Sequence, residues 1–87
     1  MTRLTPEFIR SKSILKSYPV PGGGGQAPGY ITLRQWTWGG QWVTHFYNTQ
    51  TDGFSCGHYY DTLNDATNNF KNRVIEYERR LAAFAHD

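Results

Sequence analysis

The sequence predicts an α+β domain: a short N-terminal helix, a three-stranded antiparallel meander, and a long C-terminal amphipathic helix packed on the sheet. Three observations predict it. Nine of the fourteen aromatic residues fall between Tyr30 and Tyr60, interleaved with polar residues as in half-buried strands. The breaks within that stretch are too short for a parallel crossover, so successive strands pair as hairpins. From Leu63 onward, apolar residues recur every third or fourth position, the period of an amphipathic helix.

The N-terminal helix starts at Thr5-Pro6-Glu7. Thr5 suits the N-cap, Pro6 the first helical position, and Glu7 the positive end of the helix dipole. Leu4 and Ile9 have the spacing of a hydrophobic staple. The helix is expected to run to about Lys16, within a helix or arm spanning residues 1–18. Residues 19–29, with three prolines and a run of four glycines, read as a flexible linker. No Lys-Ser or Lys-Thr follows the glycines, so they are not a phosphate loop.

The sheet is expected over residues 30–60. Its strands are Tyr30 to Trp36, Gln41 to Asn48 and Phe54 to Tyr60. Trp38-Gly39-Gly40 forms the first turn, and Thr51-Asp52-Gly53 the second, with positive φ expected at Gly53. The final helix covers 62–84. Thr62 is its N-cap with Asp65 three residues on, and Leu63, Ala66, Phe70, Val74, Tyr77, Leu81 and Phe84 form one stripe. Burying each large member contributes roughly 1.5–3 kcal/mol, so this stripe supplies most of the core.

Eighty-seven residues are expected to form a single domain. A net charge of +2 is well below that of a dedicated nucleic-acid domain. The single cysteine, Cys56, excludes an internal disulfide, and a small domain without such staples belongs in a reducing compartment. The first sixteen residues lack the apolar run and small-residue cleavage site of a signal peptide, and no stretch is apolar enough to span a membrane. The chain therefore reads as a soluble cytoplasmic protein.

Cys56, His58, His45 and Asp61 invite a catalytic reading, which the expected register argues against. With Asn48 opposite Phe54, Phe46 faces Cys56 and Thr44 faces His58, while His45 points from the other side of the sheet. Cys56 and His58 lie roughly 7 Å apart along one strand, too far for a nucleophile–base hydrogen bond. Cys56 then reads as a small buried apolar residue beside Phe46. Cys-x-His supplies two metal ligands and nothing nearby completes four. The expectation is a protein with no enzymatic activity, cofactor or metal.

One helix covers only one side of the meander. With Ile31, Leu33, Trp42, Phe46, Phe54 and Cys56 facing it, Tyr30, Arg34, Trp36, His45, Tyr47 and Tyr59 stand on the outer face. Gly57 would let a neighbouring ring or a partner lie flat there. Trp, Tyr and Arg are the residues enriched in binding hot spots, so this face is the candidate site, with Arg73, Arg79 and Arg80 as secondary charge contacts. If the faces are reversed, Trp42 and Phe46 are the exposed candidates.

Gly57-His58-Tyr59-Tyr60-Asp61-Thr62-Leu63-Asn64-Asp65-Ala66, ending in Phe70, resembles the strand-to-helix junction of AP2-type DNA-binding domains. The likeness covers residues 30–75, including Arg34 and Gly40-Gln41-Trp42, and implies a three-stranded sheet that contacts nucleic acid. The element order is also similar to that of double-stranded RNA-binding domains. In size and style the chain resembles small phage and mobile-element inhibitors, including anti-CRISPR proteins, which implies steric blocking of a host complex. Arg34 is the only Arg or Lys from Ser17 to Phe70, where major-groove reading needs several. The expected partner is therefore a host protein or ribonucleoprotein complex, with nucleic-acid binding through the same sheet as the alternative. The uncovered face would equally serve a homodimer.

Overall fold

The computed structural model describes residues 4–23, 25–36 and 40–85. Its elements are α1 (Pro6–Ser11), β1 (Ile14–Val20), β2 (Gly29–Gln35), β3 (Trp42–Asn48), β4 (Gly53–Tyr60) and α2 (Leu63–Ala85). The sheet has four antiparallel strands, not three, in the order β1-β2-β3-β4.

The added strand comes from residues expected to be helix and linker. Thr5 caps α1 as expected, its hydroxyl accepting from the Phe8 amide at 3.1 Å. The helix stops at Ser11 because Ser13 adopts a left-handed φ of 52°, which a continuing helix does not allow. Beyond it, Ile14, Tyr18 and Val20 suit a pleated surface better than a helix. Tyr18 pairs with Ile31, and Val20 with Gly29. Leu15 is absorbed in a register shift between Ile14 and Lys16 and stays exposed. Pro19 is tolerated because β1 is an edge strand, where a missing N–H costs least. Residues 19–29 are thus a strand end and a hairpin connection, with Gly23 and Gln26 exchanging backbone hydrogen bonds at 2.8 and 2.9 Å.

Trp38 and Gly39 of the first expected turn lie outside the described residues; beside them, the Trp36 amide donates to the Gln41 carbonyl at 2.8 Å. In the second turn positive φ falls on Asp52, at 57°, rather than on Gly53. The Asn48 side chain shapes this turn by accepting from the amides of Gln50 and Thr51.

The β3–β4 register also differs from expectation. Asn48 pairs with Gly53 and Phe46 with Ser55, yet Thr44 still pairs with His58. A bulge at Cys56-Gly57, opposite His45, takes up the extra residue, with Cys56 at a left-handed φ of 56°. Two consequences follow. Cys56 is exposed rather than buried beside Phe46. Phe54 pairs with Tyr47 and joins the outer face instead of the core.

Thr62 caps α2, its hydroxyl accepting from the Asp65 amide at 3.1 Å. Ala66, Phe70 and Tyr77 of the stripe are buried with Val20, Ile31 and Leu33, and Tyr18, Trp42, Phe46, Tyr60 and Val74 pack around them. Tyr77 meets Tyr18 of β1 edge-on at 6.2 Å. Leu81, one turn later on the same stripe, is 47% exposed. The side chain of Phe84 lies outside the described residues.

Candidate functional site: the outer face of the sheet

Strand alternation and register decide what stands opposite α2. The cross-strand rows are Ile14–Arg34–Val43–Tyr59, Thr32–His45 with Gly57 in the bulge, and Tyr30–Tyr47–Phe54. α1 folds onto one end of this face. The Phe8 ring lies 5.1 Å from that of Tyr47 and stacks 6.4 Å from that of Phe54. Tyr47 is fully buried beneath it, and its hydroxyl donates to the Asp52 carboxylate.

Arg34 links the covered end to the open one. Its Nε donates to the Lys12 carbonyl just beyond α1, at 2.9 Å. Its guanidinium stands 4.3 Å from the Phe54 ring centre and 5.9 Å from that of Trp36. Burial lowers its pKa, and the neighbouring Tyr59 works in the opposite direction. The backbone bond and two ring contacts hold the cation in place. Beyond Arg34, Trp36 meets Tyr59 edge-on at 5.4 Å, and His45 meets Tyr59 at 6.1 Å.

The candidate residues accordingly divide into three groups. Arg34, Trp36, His45 and Tyr59 form one connected cluster. Within it Tyr59 is 48% exposed, Arg34 and Trp36 are half-buried, and His45 is buried. Tyr47 and the half-buried Tyr30 belong to the next row, towards α1. Arg79 and Arg80 lie on α2, in the opposite layer; Arg73, also on α2, donates to the Cys56 carbonyl in the bulge and acts on His45 through its charge. Two residues that the sequence did not place on this face complete the geometry. Phe54 was hidden by the bulge, and Phe8 by the extra strand that returns α1 to this face.

His45 is the unusual member. A Cβ on Gly57 would sit 2.7 Å from its Nε2, so the ring occupies space that only glycine leaves open. Its Nδ1 is buried without a hydrogen-bond partner among the described residues. Burial first, then the charges of Arg34 and Arg73, lowers its pKa to about 4. The neutral ring is therefore built into the fold. Between pH 6.5 and 4 the unfolded chain binds a proton that the folded one refuses, so stability is complete above that window and falls with acidification. The expected loss from pH 7 to pH 5 is about 1–2 kcal/mol, allowing for water that reaches the ring edge. Urea titrations of the wild type and of His45→Gln should show this slope only in the wild type.

Comparison with protein-family models, curated proteins and solved structures finds no match. Among the described residues, no helix is long and apolar enough to cross a membrane.

Proposed function

We propose that the protein is a stoichiometric binding module that holds another protein on the open end of its outer sheet face. Trp36 and Tyr59 are the anchors, and Arg34 is the clamp that fixes Trp36. The single observation supporting this reading is the exposed Tyr59 ring, buttressed by Trp36 and His45. Rigid aromatic anchors lose little conformational entropy on binding and occupy the centres of protein interfaces. Charge favours a protein over nucleic acid as the partner. The one arginine in the cluster is already bonded to a backbone carbonyl and enclosed by two rings, which leaves little for phosphates.

Binding by occlusion requires no turnover, and the reading extends to a cytoplasmic inhibitor of a host defence or nucleic-acid-handling complex. That narrower expectation rests on chain size and aromatic content. The partner recovered by pull-down decides it.

Tyr59→Ala and Trp36→Ala are each expected to weaken capture of the partner by about 30-fold, the loss typical of a hot-spot residue, with Tm nearly unchanged. Lys71→Ala, on the exposed side of α2, should leave capture intact. Mobility-shift assays at two salt concentrations test the AP2-like alternative. Duplex binding that falls steeply with salt and survives Tyr59→Ala would replace the protein-binding reading.

A further inference from the structure

A cleft of ≈ 470 Å³ opens between α2 and the inner face of the sheet. Val20, Ile31 and Phe46 give it an apolar floor, and Arg73, Asn72 and Arg80 line its α2 side. We propose that this cleft binds a small amphipathic monocarboxylate, with its hydrocarbon part on the floor and its carboxylate on Arg73. The proposal does not rest on the outer-face reading, because the cleft lies on the inner side of the sheet, although Arg73 also acts on His45 through its charge.

Arg73 carries the argument. Its guanidinium donates to the carbonyl of Cys56, the residue whose left-handed φ creates the bulge on β4. That bond uses one of five N–H groups and none of the charge. The side chain is half-buried, and it has no carboxylate partner among the described residues. Burial lowers its pKa, while Cys56 and Tyr60 are the ionisable neighbours that oppose the shift. A partly desolvated cation without a counter-ion, beside an apolar floor, is complementary to a ligand with one negative end and one greasy end.

Size and local charge narrow the class. The volume lies in the lower half of the range for small-molecule sites, enough for a medium alkyl chain or a bicyclic ring. Glu76 also lines the cleft. Its charge offsets that of Arg80, so the cleft carries one net positive charge, which favours a monocarboxylate over a dicarboxylate or a phosphate ester.

Octanoate is the probe, titrated into the full-length protein and followed by amide chemical shifts. Saturable shifts are expected at Cys56, His58 and Asn72, with an affinity of about millimolar for a ligand of this size. Octanol and octylammonium should bind at least about tenfold more weakly, and Arg73→Gln should weaken octanoate by a similar factor. Should Arg73→Gln fail to fold, Asn72→Trp fills the cleft from an exposed position and should cause the same loss. Equal binding of octylammonium, unchanged affinity in Asn72→Trp, or no saturable shift up to about 50 mM overturns the proposal. Tyr59→Ala should leave octanoate binding unchanged, so failure here is separable from failure of the outer-face reading.

Discussion

Gly29→Ala is expected to yield no folded protein. Gly29 opens β2 and is paired on both sides, with Val20 and with Asn48. A Cβ at this position would fall 2.0 Å from the Tyr47 carbonyl oxygen and 2.8 Å from Cζ of Phe46. A ring can turn aside, but a backbone oxygen within a ladder cannot. Relief means pulling β2 from β3 at the Gly29–Asn48 pair, beside the rows of Tyr47 and Phe46. The expected cost exceeds about 4 kcal/mol, close to the whole stability of a domain this small. Gly53 stands in the same row across β3 and is the control. A Cβ there meets only the Thr51 hydroxyl, at 3.4 Å, so Gly53→Ala should shift stability by less than about 1 kcal/mol. Circular dichroism and amide shift dispersion distinguish the two. A Gly29→Ala variant with native dispersion would contradict the β2–β3 register described above.

The parts legible in the sequence are those where local chemistry and tertiary packing agree. Thr5 and Thr62 cap helices where their side chains direct, and Ala66, Phe70 and Tyr77 are buried where their spacing places them. The strands β2, β3 and β4 begin and end within a residue or so of the positions that alternation indicates. β1 was missed because its evidence conflicts. Lys16 and Ser17 interrupt its apolar residues, a bulge at Leu15 shifts its period, and Pro19 and the glycines after it read as a tether. What makes it a strand is non-local, the free edge of β2 that Tyr18 and Val20 complete. The bulge on β4 was hidden for a related reason. Positive φ falls on Cys56, while Gly57 next to it makes room for the His45 ring, so no glycine marks the left-handed position. For the candidate site, strand alternation put Tyr30, Tyr47 and Tyr59 on one face but left Phe54 off it. It did not reveal which of them α1 covers, since that depends on the course of β1.

Tyr47 tests how far that cover determines the exposed patch. Its ring is fully buried, 5.1 Å from Phe8 and 4.9 Å from Phe54, so it joins α1 to the sheet. Burial, then the bond to Asp52, pushes its pKa up to about 12, so the phenol remains a donor throughout the neutral range. Tyr47→Phe keeps the packing and removes one hydrogen bond to a carboxylate on exposed Asp52, which water can resolvate. That should cost about 1–2 kcal/mol and leave partner binding within about twofold. Tyr47→Ala removes the ring as well, at about 3–5 kcal/mol, and leaves Phe8 with Phe54 as its remaining ring contact. Hydrogen exchange should then quicken in α1 before it does in β2 and β3, because Leu33, Phe70 and Tyr77 on the inner face still hold the sheet to α2. If α1 instead stays as protected as the central strands in Tyr47→Ala, its hold on the sheet comes from the Arg34 bond to Lys12. In that case Arg34→Ala, rather than Tyr47→Ala, should release the helix and widen the open face.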